Sequence, residues 1–232
     1  MLHAFTHNKT RLHLRYLGHR EAGDGRVSEE DEITALIIGP LAFLPAQAIG
    51  AFWRALIEWD DRELPLRLPA EPVDHVNMRF WPKRGIEPDL LVELCWRSGE
   101  QAVLLVEFKW RSPLSGSDQL HRQWRNFLSA NEREVAYHVF IAPEISAGLN
   151  ALSIEDIWKD RLLLRSWYDI VAVLSRLKGP DADLLTNWKE QVLGFLARLQ
   201  IAHFNGFRTL SAPTVPDRKP VFWKELRGFA NL

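Results

Sequence analysis

The sequence is short of cysteine and of net charge, and each shortage excludes a class of protein. Cys95 is the single cysteine in 232 residues, so no intrachain disulfide can form and the chain suits a reducing compartment. It stands inside an apolar run and reads as a small buried hydrophobe. The formal net charge is −1, so no basic excess steers the whole molecule towards nucleic acid, and any phosphate-binding surface must be local. No apolar stretch approaches the roughly 18 residues that a membrane span requires. The segment Met1 to Arg20 carries Lys9, Arg11 and Arg15 where a secretory signal would have an apolar core. A cytoplasmic location without a membrane partner is therefore expected. There is no Gly-x-Ser-x-Gly elbow, no Walker A loop and no dinucleotide fingerprint, so no organic cofactor is expected. His3 and His7 have helical metal spacing but no cysteine or carboxylate partner, and no zinc site is read from them.

What is present fits a globular protein with a real core: 47% of residues are hydrophobic and 25% charged. The length suits one domain, with a core over about 28–178 and a helical C-terminal extension over about 179–232. The tryptophans follow no period, which argues against a repeat protein. After the polar loop Glu21 to Gly25, Ser28 is a candidate N-cap with Asp31 three residues on. Ile33, Leu36, Ile37, Leu41 and Leu44 then recur at helical spacing, with Gly39-Pro40 bending or breaking the run. A second helix is expected from about Ala46 to Trp59, ending in Asp60-Asp61, and Pro65, Pro69 and Pro72 mark the loop beyond it.

The period then changes. Val76 to Trp81, Asp89 to Trp96 and Ala102 to Trp110 are strand-length, and Arg97 to Gln101 supplies a turn between the last two. Both faces of this hairpin are apolar, which predicts a sheet covered on two sides by helices. Ser117 or Asp118 opens a helix lined by Leu120, Trp124, Phe127 and Leu128. Val135 to Ile141 and Leu162 to Trp167 read as strands, Tyr168 to Leu177 as a helix, and Asp181 to Leu199 as one amphipathic C-terminal helix. The order is that of a mixed α/β core.

Three ionisable residues stand where a buried sheet should not tolerate them. Asp89 opens the first hairpin strand, and Glu107 and Lys109 lie near the end of the second. Charges in such surroundings are costly unless paired or bound to a metal. Alternation puts Glu107 and Lys109 on one face. A two-residue loop at Ser98-Gly99 would pair residue 89 with residue 108 and turn Asp89 to the wrong face. An odd-numbered loop such as Ser98 to Glu100 would pair Asp89 with Lys109 and align all three.

Glu87-Pro88-Asp89, then seventeen residues, then Glu107-Phe108-Lys109 resembles the signature of the PD-(D/E)XK nuclease superfamily. The resemblance implies a restriction-endonuclease-like mixed β-sheet flanked by helices. It implies Mg²⁺ or Mn²⁺ held by Asp89 and Glu107, with Lys109 orienting or activating the attacking water. It also implies a further acid from the preceding helix and a polar residue, often Gln, from the following one. Glu30 shares a helix face with Ile33 and Ile37 and is preferred over Asp31 and Glu32. Gln119 is preferred by its Asp-Gln-Leu context, while Gln123 lies one turn on, nearer the apolar stripe. Hard divalent ions on carboxylate oxygens suit phosphodiester hydrolysis because they offset charge developing on phosphate.

The expectation is thus a metal-dependent DNA nuclease, with RNA second, acting beside a protein partner or as a homo-oligomer in bacterial defence or repair. The alternative is a catalytically silent module of the same fold that binds protein or nucleic acid. Lys83, Arg84, His121, Arg122 and Arg125 are candidates to meet phosphates or to form a solvated basic face. His203, Phe204, Phe207 and Arg208 suggest a packing or partner contact, and the Val221-Phe222-Trp223 tail a dimer or hetero-complex.

Overall fold

The computed structural model describes residues 1–19, 28–59 and 63–202. Glu21 to Gly25, Asp60-Asp61, His203 to Arg208 and Val221 to Trp223 lie outside them. Two short N-terminal helices, α1 (Leu2–Thr6) and α2 (His13–Tyr16), precede α3 (Glu29–Ile37), a 3-10 turn at Gly39–Phe43 and α4 (Ala46–Ile57). Strands β1 (His75–Phe80), β2 (Leu90–Cys95) and β3 (Gln101–Phe108) follow. Next come α5 (Gln119–Arg122), a π-helical turn (Gln123–Phe127), α6 (Ala130–Glu134), β4 (Ala136–Ala142), α7 (Ser146–Ile154) and β5 (Leu162–Ser166). The described chain closes with α8 (Trp167–Arg176), α9 (Pro180–Asp183) and α10 (Thr186–Arg198).

The fold is α/β, built on a five-stranded mixed sheet in the order β1-β2-β3-β4-β5. The first three strands form an antiparallel meander, while β4 and β5 run parallel to β3. Helical segments supply both parallel crossovers, as such connections require. Leu90, Val92, Leu104, Val106, Val139 and Leu163 face a core filled by α3, α4, α8 and α10. Leu91, Leu105, Phe140 and Leu162 face a second core under Leu120, Trp124, Phe127 and Ala151. Near-continuous apolar strands follow from burial on both sides. Gly148 lets α7 lie close to the sheet, because a Cβ there would come within 2.3 Å of Leu164 Cδ2.

Local chemistry accounts for several boundaries. The Ser28 side chain accepts the Asp31 N–H and starts α3. Ser129 and Ser166 each close a reciprocal capping box, with Glu132 and Asp169. Buried Arg165 donates through Nε to Leu56 O at 2.7 Å and through Nη2 to Ile57 O at 2.9 Å, capping the carbonyl end of α4.

Three expectations need correction. The C-terminal helix expected over Asp181 to Leu199 is two helices, α9 and α10. Gly179 and Pro180 start the first, and the break between them buries Leu185. The apolar stripe of α10 lies in the core shared with the sheet, where Trp188 also donates to Ile37 O at 2.8 Å. Cys95 is only half-buried, because β2 pairs there with the exposed start of β3. The hairpin loop is odd-numbered, but it is Arg97–Gly99 and not Ser98–Glu100. Trp96 N donates to Glu100 O and Gly99 N to Trp96 O, both at 3.0 Å. Gly99 takes φ +87°, the left-handed residue that completes a three-residue hairpin loop.

Candidate metal centre

The loop position fixes which side chains meet. Leu90 pairs with Val106 and Leu91 with Leu105, so the register carries Asp89 opposite Glu107 rather than opposite Lys109. Parity is preserved, and all three residues share the face of Leu91 and Leu105. Asp89 lies one residue before the ladder begins, and there its Oδ2 accepts the Phe108 N–H at 2.7 Å. A side-chain oxygen thus takes the donor that would otherwise be left unpaired at the sheet end. The Lys109 backbone N–H continues the pairing to β4 through Ile141 O at 2.7 Å.

Glu30 arrives from the first turn of α3. Its Oε1 lies 2.7 Å from Lys109 Nζ, and the same ammonium lies 2.7 Å from Glu107 Oε1. The Ser112 hydroxyl and the Trp110 N–H donate to Glu30 Oε2. Glu32 turns away to Arg15 and Tyr16, at 2.6 and 3.0 Å. Glu30, Asp89 and Glu107 each offer an oxygen within 4.8 Å of the others. Oxygen donors alone, at that spacing, fit a hard divalent cation such as Mg²⁺ or Mn²⁺ better than a soft one.

Both candidate glutamines reach the same carboxylate, so the choice between them dissolves. Gln119 Nε2 donates to Glu107 Oε1 at 2.5 Å, and Gln123 Nε2 donates to Glu107 Oε2 at 2.7 Å. Gln119 also accepts the Ser115 N–H at 2.6 Å, tying the loop after β3 to the site. Two residues four apart stack on one helix face.

The electrostatics follow from burial. Glu107 is 2% exposed and Asp89 8%. Desolvation, followed by the neighbouring Glu107 charge, pushes Asp89 up to about 8. Burial also raises Glu107, against the opposing pull of Lys109 and the Gln123 hydrogen bond. Lys109 is held above its usual range: burial opposes its charge, but Glu107 and Glu30 outweigh it. Three carboxylates, two of them buried, share one ammonium, and a divalent cation bound there would take the place of the protons that burial favours.

Tryptophans brace this end of the sheet. Trp110 Nε1 donates to Tyr16 O and Trp167 Nε1 to Lys109 O, each at 2.9 Å, and the two rings meet edge-on. A cleft of about 450 Å³ opens beside Lys109, lined in part by Trp110, Leu114, Phe140 and Pro143. A larger one lies near Leu66 and Tyr137, and neither cleft is lined by any of the three acids.

The basic residues expected near phosphate are already engaged. Arg84 makes a two-fold contact with Glu132 at 2.7 and 2.8 Å and lies over the Phe127 ring. Lys83 pairs with Glu87, Arg122 with Asp118, and Arg125 with Glu155. His121 is no part of a basic face: it is buried, with Nε2 2.9 Å from Glu155 O.

Sequence reasoning missed His138 and Trp158. His138 is fully buried on β4 and lies 3.2 Å from Gln123 Oε1, and Trp158 Nε1 donates to its Nδ1 at 3.1 Å. The available signal was a lone imidazole in the apolar run Val135 to Ile141, a polar group that needs a partner once buried. Among the described residues no helix is long and apolar enough to cross a membrane. Comparison with family models, curated proteins and solved structures finds no match to the chain.

Proposed function

We propose that the chain is a metal-dependent nuclease of the PD-(D/E)XK type, with a restriction-endonuclease-like sheet, that hydrolyses phosphodiester bonds in DNA. The observation that carries this reading is the convergence of Glu30, Asp89 and Glu107 around Lys109 at one end of a buried sheet. The three carboxylates would hold Mg²⁺ or Mn²⁺. Such an ion, when bound, lowers the pKa of water and offsets charge on the reacting phosphate.

The chain's own residues do the rest. Gln119 and Gln123 hold the Glu107 carboxylate by one oxygen each, so its orientation is set before substrate arrives. The Asp89 bond to Phe108 N does the same for the second carboxylate. Lys109 brings an ammonium that can meet a phosphate oxygen or steer the attacking water, and the tryptophan brace fixes its backbone. The adjoining cleft gives the substrate a way in.

With Lys83, Arg84, Arg122 and Arg125 in ion pairs, the chain fits an effector or subunit whose partner, or second copy, supplies much of the grip on DNA. The same observation favours a second reading, a silent module of this fold that serves as a binding subunit. The deciding experiment is cleavage of supercoiled plasmid and single-stranded DNA with Mg²⁺ or Mn²⁺, comparing wild type with Asp89→Ala and Lys109→Ala. Metal-dependent cleavage lost in both variants is expected. No cleavage by wild type, with no Mn²⁺ signal in calorimetry, selects the silent module.

A further inference from the structure

Behind the carboxylates lies a line of buried polar groups of which the metal-site reading uses only the last, Gln123. Trp158 Nε1 lies 3.1 Å from His138 Nδ1, His138 Nε2 3.2 Å from Gln123 Oε1, and Gln123 Nε2 2.7 Å from Glu107 Oε2. Trp158, His138 and Gln123 are each completely buried. His138 lies on the sheet face of Glu107, in the adjacent strand: Leu105 pairs with His138 and Glu107 with Phe140. Its ring stacks within 9° of parallel on Trp124, and both Trp158 and His121 pack nearby.

The chemistry of the first member dictates every later one. An indole N–H can only donate. His138 Nδ1 must therefore accept, which leaves the proton of a neutral imidazole on Nε2. That N–H must donate to Gln123, so the amide oxygen faces His138 and the amide nitrogen faces Glu107. Burial keeps His138 neutral by holding it well below the usual histidine range, in agreement with a ring that accepts on one side and donates on the other.

We propose that Trp158, His138 and Gln123 form a one-way hydrogen-bond relay that fixes the Glu107 carboxylate towards Glu30 and Asp89, making Trp158 and His138 positioning residues for the metal centre. Reversing any one member would turn the Gln123 oxygen towards the Glu107 oxygen and set two acceptors face to face. The inference rests on the metal-site reading for its purpose, but its geometry stands independently.

The test pairs metal-free NMR with Mn²⁺ titration on the full chain. Nitrogen-15 spectra of wild type should show His138 as the Nε2–H tautomer. Benzothienylalanine at position 158 removes the N–H while keeping the ring shape, Trp158→Phe removes it with part of the ring, and both should shift the His138 and Gln123 side-chain resonances. Mn²⁺ affinity by calorimetry should fall about 10–100-fold, the range typical of lost outer-shell partners, while the secondary structure by circular dichroism stays that of wild type. Once Gln123→Met has cut the relay, Trp158→Phe should cost no further affinity; a purely structural tryptophan would give additive losses. An Nδ1–H tautomer, unchanged spectra, wild-type affinity in Trp158→Phe or additive losses would each overturn the relay. If wild type binds no Mn²⁺, the metal-site reading fails, and the relay stands or falls on the metal-free spectra alone.

Discussion

Glu30 and Lys109, 79 residues apart, meet at 2.7 Å between the first turn of α3 and the end of β3. The ammonium also holds Glu107, so its removal leaves two carboxylates facing one another in a desolvated site. Lys109→Met should therefore destabilise the metal-free protein by about 3–5 kcal/mol, the usual cost of leaving a buried charge unpaired. Denaturant titration in EDTA measures the loss. Mn²⁺ should restore part of it, and a loss indifferent to Mn²⁺ would argue against the three acids as metal ligands.

Stability without metal should fall as pH rises through neutrality. Asp89 moves from 3.8 to about 8 on folding, so the folded chain holds a proton that the unfolded chain releases. Its favourable contribution is complete below 3.8 and is lost as pH climbs to 8. His138 moves from 6.5 down to about 3; its folded form stays neutral, so stability is lost as pH falls below 6.5. The two effects oppose one another between about 4 and 6.5, and above that the Asp89 effect remains. Thermal unfolding in EDTA should show Tm declining from pH 6.5 to 8. Asp89→Asn should flatten most of that decline; an unchanged slope would refute the assignment.

Arg165 should be irreplaceable by a neutral side chain. Its bonds to Leu56 O and Ile57 O are charge-assisted, and such bonds contribute roughly 1.5–3 kcal/mol each. Arg165→Met is expected to cost about 3–6 kcal/mol, which corresponds to a Tm drop of about 6–24 °C for a chain of this size. Lysine should not rescue it, because one ammonium lacks the planar fork. A variant within a degree of wild type would show that the α4 carbonyls find other donors.

Gly148→Ala should separate α7 from the sheet. The added methyl would meet Leu164 Cδ2 at 2.3 Å and Phe140 Cδ1 at 3.1 Å, an overpacking that typically costs about 1–3 kcal/mol. Since Phe140 pairs with Glu107, Mn²⁺ affinity offers a second readout. Unchanged stability would mean that Leu164 has another rotamer open to it.

The site was legible where a period governed it. Alternation alone placed Glu107 and Lys109 together, and the helical period singled out Glu30 from Asp31 and Glu32. The centre of the hairpin loop was not legible, because several turns fit Arg97 to Gln101. The left-handed Gly99 and the Trp96–Glu100 bonds choose among them. The break before α10 was hidden by an apolar pattern that runs straight through Leu184 and Leu185. His138 and Trp158 carried no shared signal: they lie 20 residues apart on a strand and a loop, and only the packing of the β4–β5 crossover on the sheet brings them together.

The stitching of α1 to α10 has a consequence for synthesis. Phe5 packs its ring on Phe195 at 4.7 Å, and Thr6 bonds Gln191 across 185 residues of sequence. A five-residue helix cannot persist alone. At about 5–20 residues per second, translation leaves α1 waiting roughly 10–40 s for its partner to emerge. Leu2 and Phe5 therefore lack the cover of α10 until that helix has been made, and the packing step there joins residues far apart in the order of synthesis.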